Sequence, residues 1–281
     1  MPFDRSVVGR TFGPHTFSYD WQRAALYALA CGATETELDL LLETRGPKVL
    51  PTFSVVPTFA PLLEALVQLG GNMLTLVHGA QRCVLHAPIP PSGTLHTTAR
   101  VDALYDKGKG ALAIVHTETK GEDGAALFDT EWQIFYRGEG GFGGERGPDA
   151  PSYAAPEGKA PDHSVEMPTR ATQALLYRLA SGDLNPIHSD PATAAAAGFP
   201  RPILHGLASF GHAGRAVLST LLGGQVERLR SIEGRFTKPV FPGDTLVTDL
   251  HVVGEGEAYF TTREKSRGDV VLSLGRVTYA P

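Results

Sequence analysis

Cysteine is nearly absent: Cys31 and Cys83 are the only two in 281 residues. Lying far apart in sequence, they suggest neither a disulfide framework nor a thiolate metal clip, and the expected setting is a reducing one. Basic charge is not in excess either. With 25 Lys and Arg against 30 Asp and Glu, the net charge is −5, and no basic stripe points to nucleic acid. No apolar run reads as long enough to cross a membrane. Met1-Pro-Phe-Asp-Arg-Ser6 has neither the basic start nor the apolar core of a signal peptide. The terminus Val277-Thr-Tyr-Ala-Pro281 is no peroxisomal or retention address. A cytoplasmic, globular protein with no membrane partner is expected.

What the chain does have is an internal echo. Ala25-Leu-Tyr-Ala-Leu-Ala-Cys-Gly-Ala33 resembles Leu175-Leu-Tyr-Arg-Leu-Ala-Ser-Gly-Asp183, with Tyr27 and Tyr177, and Gly32 and Gly182, each 150 positions apart. Pro91-Ser-Gly-Thr-Leu95 likewise lies opposite Pro242-Gly-Asp-Thr-Leu246, with Gly93 over Gly243. Two separated matches at one offset indicate a duplication.

Each half repeats one order of elements. An early helix comes first, and in the second half Thr172, Leu175, Leu176 and Leu179 fall at helical spacing. A longer apolar helix follows, over 57–69 and then 207–222. In the latter Leu207, Phe210, Gly214, Val217, Leu218 and Leu221 form an apolar stripe suited to a helix wrapped by a sheet. Strand-like runs rich in Val, Thr, Tyr and Phe come last: 94–105, 111–119 and 125–136, then 245–253, 258–264 and 270–279. Turn signals such as Asp106-Lys-Gly-Lys-Gly110 divide them. Helices followed by antiparallel strands predict an α+β fold. The expected division is 1–136, a Gly- and Pro-rich crossover over 137–164, and 165–281. Arg137-Gly-Glu-Gly-Gly-Phe-Gly-Gly144 resembles a phosphate cradle only in composition, since no Lys-Ser or Lys-Thr follows; a flexible crossover is the simpler reading.

Tyr177-Arg-Leu-Ala-Ser-Gly-Asp-Leu-Asn-Pro-Ile-His188 concentrates the chemistry. It sets a carboxylate (Asp183), an amide (Asn185) and an imidazole (His188) where a helix gives way to a loop punctuated by Gly182 and Pro186. A carboxylate and an imidazole sharing one water can move protons both ways near neutral pH. By themselves the residues also fit a turn carboxylate after glycine, an ordinary partly buried histidine and an Asn-Pro turn initiator, and those plain readings are favoured. The repeat makes the motif more specific. The first-half positions opposite Asp183, Asn185 and His188 are Ala33, Glu35 and Leu38, so the scaffold recurs without the polar groups. A metal set of Asp183, Asn185, His188 and Asp190 lacks the spacing of a calcium loop and has one histidine, a poor zinc site; no metal is expected.

These residues, with Gly198-Phe-Pro-Arg-Pro-Ile-Leu-His-Gly206, resemble the signature of hydratase 2, the (R)-specific enoyl-CoA hydratases of the MaoC-like family. The likeness extends to Val77-His-Gly-Ala-Gln81 and Pro88-Ile-Pro-Pro-Ser-Gly93 and so covers nearly the whole chain. It implies a double hot-dog fold, two antiparallel sheets each wrapping a long helix, with a catalytic second half and a degenerate first half that makes room for the acyl chain. It implies reversible hydration of a trans-2-enoyl-CoA to a (3R)-3-hydroxyacyl-CoA, with no cofactor beyond the CoA of the substrate, and a possible homodimer. Asp183 and His188 match the family's dyad, Asn185 its motif amide, and Gly206 the backbone donor to the thioester oxygen; His205 reads as structural. Lys238 and Arg201 are the basic residues weighed for the CoA phosphates. A hot-dog thioesterase, a dehydratase for a branched or sterol-like CoA ester, and a non-catalytic acyl-CoA-binding subunit are the rivals.

Overall fold

A computed structural model describes every residue except Met1, Ala150, Ala154 and Glu157. Its strands are β1 (Thr11–Tyr19), β2 (Leu76–Leu85), β3 (Gly93–Asp106), β4 (Gly110–Lys120), β5 (Ala126–Arg137), β6 (His163–Pro168), β7 (Leu229–Phe236), β8 (Thr245–Gly254), β9 (Glu257–Glu264) and β10 (Val270–Tyr279). The helices are α1 (Trp21–Ala30), α2 (Phe59–Leu69), α3 (Gln173–Ser181), α4 (Pro191–Ala196) and α5 (Gly206–Thr220). All strand pairs are antiparallel, in the order β1-β3-β4-β5-β2-β7-β10-β9-β8-β6. The order is a palindrome: β1 to β5 in the first half mirror β6 to β10 in the second. The two expected sheets, of five strands each, meet at β2 and β7 and run on as one ten-stranded sheet.

Strand alternation sets the layers. In β9, Ala258, Phe260, Thr262 and Glu264 are buried while Glu257, Tyr259, Thr261 and Arg263 are partly exposed, the period of two that puts alternate side chains on opposite faces. The inner faces close around α2 and α5. Every residue of α5 from Leu207 to Leu218 is buried, so the helix is surrounded on all sides. Glycine makes this possible at Gly211, where an added Cβ would lie 2.2 Å from the Cys31 sulfur.

The duplication is visible in packing. α1 and α3 lie against each other with Tyr27 and Tyr177 at the centre, both fully buried, ring centroids 5.8 Å apart. Arg23 donates to the Ala180 carbonyl (2.5 Å), and its counterpart Gln173 donates to the Ala30 carbonyl (2.7 Å). The two bonds are the same contact made twice across a pseudo-twofold axis.

Three features depart from the simplest reading of the sequence. The leucine stripe of α3 is not its core face: Gln173, Ala174, Tyr177 and Ala180 are buried, and Leu175 and Leu179 are 48% and 62% exposed. Pro51–Leu69 is apolar and long enough to span a membrane on length and composition, but it is a 3-10 turn leading into α2, with 67% of its apolar window buried inside the protein. The glycine-rich crossover is held in place at its start. Asp106 accepts the N–H groups of Gly108 (2.9 Å), Gly141 (2.8 Å) and Gly143 (2.9 Å), so the cradle exists and its anion is the protein's own carboxylate.

Candidate active site

The loop that carries the candidate residues starts where α3 stops. Gly182 takes a left-handed conformation (φ +80°) and its N–H closes on the Arg178 carbonyl at 3.1 Å, a C-cap that a side chain would strain. Each following residue is fixed by its neighbour. Ser181 Oγ accepts the Asp183 N–H (3.1 Å), Asp183 Oδ1 accepts the Asn185 N–H (3.0 Å), and Asn185 Oδ1 accepts the Ile187 N–H (3.2 Å). That last bond caps the 3-10 turn Pro186–His188. Asn185 therefore builds the turn with its carbonyl end, leaving its NH2 as the end available to a water or substrate. Asp190, weighed as a ligand, caps α4 through Ala192 and Thr193.

His188 is oriented from behind. Its Nδ1 lies 2.9 Å from the Ile203 carbonyl, an acceptor only, so Nδ1 carries the proton and Nε2 is a free lone pair. Burial pushes its pKa below the ordinary histidine value, against the raising influence of that carbonyl bond and of Asp183. A neutral, oriented base results.

One nitrogen or oxygen from each of Asp183, His188 and His205 lie within 4.8 Å of one another. The sequence had set His205 apart from the dyad, yet its ring is stacked on His188 with centroids 3.7 Å apart and planes 26° from parallel. Rings stacked so closely cannot both direct in-plane lone pairs at one ion about 2.0–2.1 Å away. The cluster suits a shared water better than a shared metal.

Gly206 opens α5 and has no helical partner for its N–H, as at any helix start. A free N–H at the positive end of the helix dipole is an anion donor. Its φ is ordinary; space is what requires glycine, because an added Cβ would lie 3.0 Å from the Phe236 ring. Gly206→Ala must therefore displace either the helix start or Phe236. The contact is relieved by a shift of a few tenths of an ångström, so the expected loss in kcat is about 10-fold, short of the ~10² that a displacement of about 1 Å costs, with thermal stability little reduced. Unchanged turnover in steady-state assay would remove Gly206 from the site.

Neither basic candidate for CoA comes out strengthened. Arg201 donates to the Pro242 carbonyl (2.8 Å) and lies over the Phe241 ring, and Lys238 is simply exposed. A cavity of about 550 Å³ lies elsewhere, on the outer face of the sheet between β2, β4, β5 and β7, lined by Arg82, Glu131, Gln133, Phe135 and Arg235. It is on the side of the sheet away from α5 and the dyad.

The fold is that of a double hot-dog protein, with the polar cluster of Asp183, His188 and His205 in its second half. Residues 152–273 match the MaoC like domain and residues 17–138 the MFE-2 hydratase 2 N-terminal domain. The chain is 41% identical over 99% of both chains to 3-hydroxyacyl-thioester dehydratase Y of Mycobacterium tuberculosis. It is 34% identical, over 99% of this chain and 96% of the other, to a probable enoyl-CoA hydratase 2 of Dictyostelium discoideum. Among solved structures, a MaoC-like dehydratase from Phytophthora capsici superposes with a TM-score of 0.88 at 30% identity, covering 100% of this chain and 98% of that one. A double hot-dog protein of Mycobacterium tuberculosis, at 16% identity and a TM-score of 0.59 over 97% of this chain and 96% of that one, shares the fold. The chain belongs to the MaoC-like dehydratase and hydratase 2 family, a family of hydro-lyases.

Proposed function

We propose that this protein reversibly hydrates a trans-2-enoyl-CoA to a (3R)-3-hydroxyacyl-CoA, using one water held between Asp183 and His188 and no metal or cofactor. The observation that carries the reading is the free Nε2 of His188, neutral, oriented by Ile203, and within reach of the Asp183 carboxylate. The names of the relatives, enoyl-CoA hydratase 2 and 3-hydroxyacyl-thioester dehydratase, support the same class of substrate.

The chemistry needs a base for the water, a proton for C2 and donors to the thioester oxygen. In the proposed step His188 Nε2 takes one proton as the water oxygen bonds to C3. The π electrons move through C2 to the thioester oxygen, where the Gly206 N–H meets the developing charge. The imidazolium then returns that proton to C2 on the same face, so one water is added and nothing else is consumed. Its buried setting disfavours the charged ring, which makes the return favourable. Asp183 accepts the second hydrogen of the water, and the NH2 of Asn185 donates to its oxygen. In this proposal residues 1–136 serve the acyl chain, 137–164 the crossover and 165–281 the reaction. A homodimer in the cytoplasm belongs to the same reading, and sedimentation as a single chain would remove the dimer.

Crotonyl-CoA tests the activity. Loss of the enoyl absorbance without release of thiol is the expected result. Free thiol would make the protein a thioesterase, and no change with crotonyl or longer and branched enoyl-CoA esters would make it a binding subunit.

A further inference from the structure

We propose that His205 is a positioning residue for the reaction: its ring is the platform on which His188 stacks, and its N–H tethers the main chain of Asp183. The proposal rests on the hydration reading above, and it assigns work to a residue that the sequence left as structural.

Two contacts carry it. The imidazole of His205 lies face to face with that of His188, centroids 3.7 Å apart. Its Nε2 approaches the Asp183 carbonyl at 3.4 Å, and since a carbonyl can only accept, Nε2 holds the proton. One side chain thus touches both members of the dyad. On its other side Tyr177 closes the stack at 4.9 Å, and Tyr177 packs in turn on Tyr27 of α1, so the platform is backed by the junction of the two halves. His205 is also the residue before Gly206, which ties the dyad and the oxyanion donor to one short segment of chain.

A structural role alone does not account for the choice of histidine. With the proton on Nε2, Nδ1 is an acceptor, and it is buried with no partner among the described residues. Such an atom carries a desolvation cost that a phenyl ring of similar breadth would avoid. The polar ring remains useful if its N–H and its face are both needed. It also has to stay uncharged, because an imidazolium against His188 would oppose protonation of the base. Burial, with His188 and Arg178 adding to it, pushes the His205 pKa down to about 2, so the platform is neutral throughout the working range. The ionisable groups facing the pair are Asp183 in the same loop and Tyr177 and Arg178 on α3.

Two substitutions separate the functions. His205→Gln keeps an N–H donor and removes the flat platform; His205→Phe keeps the platform and removes the donor. For His205→Gln, kcat on crotonyl-CoA should fall ~10–100-fold with KM within about threefold. The acid limb of the kcat profile should move up towards the ordinary histidine range, because His188 becomes better solvated. For His205→Phe, kcat should fall with the acid limb in place. Titration of the His188 ring by NMR reads the same shift without any turnover: upward in His205→Gln, unmoved in His205→Phe. A His188 midpoint that is the same in wild type and both variants would overturn the proposal. So would an equal loss in both variants that tracks thermal stability alone. If wild type fails to hydrate crotonyl-CoA yet the NMR shift appears, the positioning role holds and the hydratase reading falls.

Discussion

Asp183→Asn and His188→Gln should each lower kcat for crotonyl-CoA hydration by about 10³-fold while leaving KM within a few-fold. General acid–base groups contribute ~10²–10⁴, and a 10³ loss corresponds to about 4 kcal/mol of barrier. Asp183→Asn is well suited because its Oδ1 can still accept the Asn185 N–H, so the turn is kept and only the charge is removed. Both residues act on one water, so the double variant should be little worse than either single one. Losses that multiply to ~10⁶ would mean two independent roles and would contradict a shared water. Wild-type activity should also hold below the ordinary histidine range, about pH 6.5, and fall only as pH drops through the depressed His188 value.

A second large effect concerns stability. His205 and His212 are almost wholly buried, and burial is the main cause that takes their pKa values to about 2 and about 4. Each is therefore neutral in the folded chain at pH values where the unfolded chain, titrating near 6.5, binds a proton. The unfolded state holds more protons, so stability is intact above about pH 6.5 and is lost as pH falls towards the folded values. Two such groups cost about 4 kcal/mol between neutral pH and pH 5. That is a large share of the 5–15 kcal/mol a domain possesses. Urea unfolding at pH 7 and pH 5 measures it, and His212→Gln should remove about 2 kcal/mol of the difference. Equal stability at the two pH values would contradict the burial of both rings.

The sequence revealed the duplicated halves, the three regular strands after each long helix and the polar loop, because these depend on local signals: period-two alternation, Gly turns and an Asp-Leu-Asn-Pro-Ile-His run. It did not reveal β1, β2, β6 and β7. β2 carries Val77-His-Gly-Ala-Gln81 and β7 carries outward Arg230, Glu233 and Arg235, which dilute the strand signal although these two strands join the halves. The leucine spacing marked α3 as a helix but not its buried face, because Tyr177 and its alanines are buried by a partner helix 150 residues away, a fact outside any local window. His205 was set aside for the same reason, since only the fold brings it against His188, 17 positions earlier. Its one local signal was adjacency to Gly206.

The most direct test of the shared water on one face is hydration of crotonyl-CoA in D2O, with chiral analysis and deuterium placement in the product. The account predicts (3R)-3-hydroxybutyryl-CoA with the deuterium at C2 and the new hydroxyl added to the same face. A (3S) product, or deuterium on the opposite face, would contradict it.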